Sequence, residues 1–79
     1  MKRRVEQFSA LGQEDRLQIF RLLVRAGPLP LRLVARGVFG DNATDIVIPT
    51  EGALQLLTLP ENMQLLRDGK IVIIYDSLE

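Results

Sequence analysis

The chain has 79 residues, ten basic and ten acidic, with no histidine and no cysteine. At that length it forms one domain, residues 1–79, burying on the order of 60–65% of its unfolded surface. No disulfide is available to support so small a core, no thiolate or imidazole can hold a soft metal, and neither a cysteine nucleophile nor a Ser–His pair exists. Apolar residues make up 47% of the sequence, which favours a folded chain over a disordered one. It contains no run of about 18 apolar residues to span a membrane, and no apolar signal core follows Met1-Lys2-Arg3-Arg4, so a cytoplasmic address is the expectation.

The zero net charge conceals an asymmetry. Residues 1–40 carry eight basic and three acidic side chains, and residues 41–79 carry two and seven. Two readings follow: a basic half that meets nucleic acid or an acidic protein, or two halves that neutralise each other within one fold.

In chain order, Val5, Phe8 and Leu11 fall three apart and predict a short helix over residues 3–11. After Gly12, a second helix is predicted from near Gln13 to Ala26. Its inward stripe is Leu17, Phe20, Leu23 and Val24, widened by Ile19 and Leu22. Glu14 and Asp15 suit its first turn and Arg21 and Arg25 its later turns, and Gly27-Pro28 ends it. Pro30 can open a third helix, with Leu31, Val34, Ala35 and Val38 on one face. Asp41-Asn42-Ala43-Thr44 reads as a turn and Ile46-Val47-Ile48 as a short strand. Pro49 to Leu57 fits a helix or a strand equally, and Pro60-Glu61 opens a further helical turn. Asp68-Gly69 predicts a β-hairpin between Met63–Arg67 and Lys70–Tyr75.

The run from Phe8 to Leu23, Phe-Ser-Ala-Leu-Gly-Gln-Glu-Asp-Arg-Leu-Gln-Ile-Phe-Arg-Leu-Leu, together with Ala26-Gly27-Pro28, resembles the opening helices of ArsR-type winged-helix repressors. Asp68-Gly69-Lys70 and Ile73-Ile74-Tyr75 are similar to the wing of that family. The resemblance implies an α+β, winged-helix-like domain of three N-terminal helices followed by a C-terminal hairpin. It also implies a homodimer that binds operator DNA. Without Cys or His ligands, the metal sensing found in that family is excluded, and neither a metal nor a cofactor is expected.

Under this reading, DNA contacts come from Arg3, Arg4, Thr50, Gln55, Arg67 and Lys70. The dimer or partner interface draws on Val5, Phe8, Ile71, Ile73 and Tyr75. Each has a plainer alternative. Thr50 is a helix N-cap, Gln55 a solvated amide, Arg67 and Lys70 the charged edge of a hairpin, Lys2 to Arg4 a solvated terminus, and Phe8 and Tyr75 core. Glu51 and Glu61 have no other catalytic group near them in sequence, which argues against an enzyme. The alternative function is a protein-interaction module that modulates another regulator or enzyme through its acidic C-terminal half and an exposed strand.

Overall fold

A computed structural model describes residues 2–8, 14–35 and 44–78. They form β1 (Lys2–Glu6), α1 (Asp15–Ala26), β2 (Leu31–Ala35), β3 (Thr44–Ile48), α2 (Ala53–Leu57), α3 (Pro60–Arg67) and β4 (Ile71–Ser77). The strands make one antiparallel sheet in the order β1-β4-β2-β3. β1 and β2 both run antiparallel to β4, which lies between them, so β1-α1-β2 is a split β-α-β unit. The path from β3 through α2 and α3 to β4 is a second such unit, split by β2. Among the described residues, no helix is long and apolar enough to cross a membrane.

This architecture replaces the winged helix expected from the sequence. The domain is α+β, but it begins with a strand and is dominated by a four-stranded sheet. Residues 3–6 of the helix expected over 3–11 belong to a strand, and residues 9–11 lie outside the described residues. The expected third helix is β2 over Leu31–Ala35. Residues 36–43, which include the rest of that helix and most of the expected turn, also lie outside the described residues.

The reason for the β2 difference is visible in its burial. Leu31, Leu33 and Ala35 are buried and Arg32 and Val34 half-buried, which is the two-residue period of a strand. The same five residues also satisfied part of a helical spacing, and the sheet on both sides of β2 decided between them.

The expected hairpin at Asp68-Gly69 is a helix-to-strand junction. Met63–Arg67 belongs to α3, and only the second arm is a strand. The Gly69 N–H donates to the Leu66 carbonyl at 3.2 Å and the Lys70 N–H to the Leu65 carbonyl at 3.0 Å, the paired bonds of a Schellman cap. That cap requires a left-handed residue, and Gly69 has φ +74°. Asp-Gly thus serves a helix end here, a position with the same conformational demand as a hairpin turn.

All three helices pack on one face of the sheet. Ile19, Leu22 and Ala26 of α1, Ala53 and Leu57 of α2, and Leu66 of α3 share one core with Leu31, Leu33, Ile48, Ile73 and Tyr75. Cross-strand register places Leu31 beside Tyr75 and Leu33 beside Ile73, so these side chains share a face. The opposite face carries Arg3, Val5, Val72, Ile74, Arg32, Val34, Asp45 and Val47 by alternation. The result is a two-layer sandwich with helices on one side only.

Ion pairs join the two halves of the sequence: Arg3 meets Asp76 at 3.6 Å and Arg32 is bonded to Asp45, basic half to acidic half, while Asp15 and Arg67 pair in the opposite sense. The Arg32 guanidinium holds the Asp45 carboxyl below the usual aspartate range, chiefly through its hydrogen bonds.

Candidate functional site: the outward face of the first helix

α1 begins with Asp15 and ends at Gly27, which takes φ +60° and donates its N–H to Leu23 O at 3.0 Å. These bounds agree with the sequence, but the helix is rotated relative to the expected stripe. The face turned to the sheet is Ile19, Leu22 and Ala26, all fully buried. Leu23 is half-buried against the core. The remaining residues of the expected stripe point to solvent: Leu17 is 40% exposed, Phe20 52% and Val24 64%.

Leu17, Phe20 and Val24 are spaced three and four apart, so at 3.6 residues per turn they form a second apolar stripe. It lies on the side of the helix opposite Ile19, Leu22 and Ala26. An amphipathic helix on a protein surface has one apolar face, and a helix that is apolar on both sides belongs between two partners. The sheet supplies one of them. Leu54 of α2 joins Leu17 and Phe20, together with Glu14 and Arg16, in lining a notch of about 480 Å³ that extends the outward stripe. Arg16 and Arg21 are exposed on its two flanks.

Three sets of contacts fix this helix to the body. At its start, the buried carboxylate of Asp15 accepts a hydrogen bond from Arg67 Nε, joining the N-terminus of α1 to the C-terminus of α3. Each charge sits at the helix end whose dipole favours it. Along its flank, Glu6 on β1 accepts from Gln18 Nε2 at 2.8 Å, from Arg25 Nη2 at 3.1 Å and from Tyr75 Oη at 3.1 Å. Arg25 Nε also donates to Tyr75 Oη at 3.1 Å, and Gln18 donates to the Gln7 carbonyl at 2.9 Å. Burial and the nearby Glu6 charge push the Tyr75 hydroxyl above the usual tyrosine range, so it stays a neutral donor at ordinary pH. At the end of the helix, Leu78 N–H donates to the Arg25 carbonyl at 3.1 Å, and a Cβ at Gly27 would collide with the Leu78 side chain. The network lets α1 present its outer side chains from a fixed position.

The sheet edges differ from each other. β1 carries Lys2, Arg3 and Arg4, charges that discourage a further strand from pairing. β3 carries only Asp45 and exposes Ile46 and Val47, beside an apolar groove of about 200 Å³ lined by Ile48, Leu56, Leu57 and Ile71 among others. Asn62 Nδ2 closes one side of this groove by donating to the Leu56 carbonyl at 2.7 Å.

The residues expected to contact DNA are dispersed. Arg3 lies on the outer sheet face and Arg4 on the helix-facing side of edge strand β1, in register with Tyr75. Thr50 and Gln55 follow β3 at the other edge of the sheet. The N-cap of α2 is Gly52, and Thr50 offers the helix its backbone carbonyl, accepting from Ala53 N–H at 3.1 Å. Arg67 is bonded to Asp15, and Lys70 is exposed in the turn before β4.

Of the expected interface residues, Val5 is exposed, while Phe8 and Ile71 pack half-buried against the core. Ile73 and Tyr75 lie inside it. β4, expected as an exposed strand, is flanked by β1 and β2. The outward stripe was missed because Leu17, Phe20 and Val24 were read as the core face. The available signal was that Ile19, Leu22 and Ala26 formed an equally good stripe on the other side. Among the described residues, no group of three or more acidic side chains gathers where a metal ion could be held.

The family model built on the second domain of Treponema pallidum Tp0624 matches residues 13–77, from the start of α1 to the end of β4. The chain belongs to this family. The match corrects the ArsR resemblance, which rested on residues 8–28 and 68–75: among the described residues the first span holds the single helix α1, and the second holds a helix cap and the start of β4 rather than a wing. The chain matches no curated protein and no solved structure at the level of a confident hit.

Proposed function

We propose that this chain is a non-enzymatic docking domain that binds a protein partner through the outward face of α1. The observation that carries the reading is the second apolar stripe of Leu17, Phe20 and Val24, held opposite the core on a helix clamped at both ends. The family supports it, because a domain defined as the second of its protein has neighbours to dock against. The Glu6 cluster does not suggest an enzyme, since its polar groups are spent on one another. Duplex DNA binding has no comparable support. The expected third helix is a strand, α2 has five residues, and Arg3, Arg32 and Arg67 each face an aspartate.

If the outward stripe serves a partner, it contributes little to the fold of the free domain. The double variant Phe20→Gln, Val24→Gln is therefore expected to unfold within about 0.5 kcal/mol of the parent. Gln favours helix over both Phe and Val, which offsets part of any loss. Urea unfolding followed by circular dichroism measures this. A loss above about 1.5 kcal/mol would mean that the stripe is core, and would remove the basis for the docking reading.

A further inference from the structure

We infer that the occupant of the α1 face is an amphipathic helix with acidic flanks, an assignment that rests on the docking reading above. In heptad terms, Leu17, Phe20 and Val24 take the a, d and a positions of a two-turn seam about 10 Å long. A helix laid along this seam places its own apolar residues between them and over the notch beside Leu54. An extended strand presents alternate residues at a period of two and does not follow a three-four spacing.

The flanking charges select the partner. Arg16 lies at position g on one flank of the seam, and Arg21 at position e on the other, where Glu14 is the one acidic side chain among the described residues. In a parallel pairing of two copies, Arg16 of one meets Arg21 of the other. In an antiparallel pairing centred on Phe20, the two Arg21 side chains approach each other. Both arrangements set arginine against arginine, and each seam carries two arginines against the one Glu14, so its net positive charge favours an acidic helix over a second copy of itself. A helix with Glu or Asp on both flanks places acid against Arg16 and Arg21 instead. Gln18 and Arg25, the other polar side chains of α1 near the sheet, are occupied by Glu6 and do not compete. The seam is shorter than the roughly 800 Å² per partner of a stable complex requires, so the contact is weak between separate molecules.

The test uses the full chain and two labelled synthetic peptides of about sixteen residues, enough for four helical turns. Both have leucine at the a and d positions. One has glutamate on both flanks and the other has lysine. Fluorescence anisotropy at low salt is expected to show the glutamate peptide binding at least tenfold more tightly, with the advantage shrinking at high salt. The double variant Phe20→Gln, Val24→Gln is expected to lose at least tenfold in binding while remaining folded. The charge reversal Arg16→Glu, Arg21→Glu is expected to invert the preference, so that the lysine peptide binds better, an outcome that general stickiness would not produce.

Equal binding of the two peptides, no binding of either, or an unchanged preference after charge reversal would overturn the assignment. So would a concentration-dependent dimer, measured by sedimentation, that Phe20→Gln dissolves. If the peptides fail while Phe20→Gln, Val24→Gln leaves stability unchanged, the acidic helix is excluded and the docking reading stands. A large loss of stability in that variant removes both.

Discussion

Leu22→Ala should cost the domain about 3 kcal/mol of stability. Leu22 has no solvent exposure and lies at the centre of the α1 face that meets Ile73 and Tyr75 of β4 and Leu31 of β2. Truncating a fully buried leucine forfeits its transfer free energy and leaves a cavity, together 2–5 kcal/mol. A chain of this length has roughly 4–12 kcal/mol in total at 0.05–0.15 kcal/mol per residue. The substitution therefore removes a large share of what holds the domain folded. Urea denaturation should show the midpoint falling with an unchanged slope. A loss below 1 kcal/mol would place Leu22 away from the core and contradict the helix orientation on which the site depends. Phe20, two residues earlier and larger, is expected to tolerate replacement by a polar residue. The contrast between the two positions separates an inward face from an outward one.

The second large effect is expected at the join between α1 and α3. Arg67→Met keeps much of the apolar stem of the side chain but removes the charge opposite Asp15, whose carboxylate is almost completely buried. Removing one partner of a buried pair costs about 3–5 kcal/mol, because the remaining charge has lost both water and counter-ion. Since Arg67 is itself about one-third exposed, solvent reaches part of the pair, and about 2–3 kcal/mol is expected. Partial rescue is also expected. Adding Asp15→Asn removes the orphaned charge, and the double variant should be more stable than Arg67→Met alone, which a thermal unfolding cycle of the four proteins would measure. Additive losses from the two substitutions would mean that the ion pair does not couple the helices.

How much of this was legible in the sequence depended on whether the decisive partners were local. α1 was readable from Glu14 and Asp15 at its start to Gly27-Pro28 at its end, because capping and charge placement are local signals. β3 was readable from its β-branched run. The helix after Pro60 was seen only as a turn, since Met63–Arg67 was assigned to a hairpin that Gly69 instead replaces with a helix cap.

β1 was not legible at all. It is an edge strand whose helix-facing Glu6 is satisfied by Gln18, Arg25 and Tyr75, between 12 and 69 residues away, so it lacks the apolar alternation of a half-buried strand. The site was half legible. Its three apolar residues and their spacing were correctly seen, but on a helix with two apolar faces the sequence alone does not say which one meets the sheet. The ArsR resemblance, carried by residues 8–28 and 68–75, reinforced the helices that apolar spacing had predicted over residues 3–11 and from Pro30.

The orientation of α1 is the centre of the account, and the absence of cysteine allows a direct test. Single cysteines introduced by Leu17→Cys, Ile19→Cys, Phe20→Cys, Leu22→Cys and Val24→Cys are each the sole thiol in the chain. Their reaction with a soluble thiol reagent under native conditions can be compared with the rate in denaturant. Cysteines at 17, 20 and 24 should react within about tenfold of the unfolded rate, and those at 19 and 22 should be protected by at least about a hundredfold, the latter reporting the free energy of opening. Protection at 20 and 24 with free reaction at 19 and 22 would show the helix turned the other way, and the outward docking face would not exist.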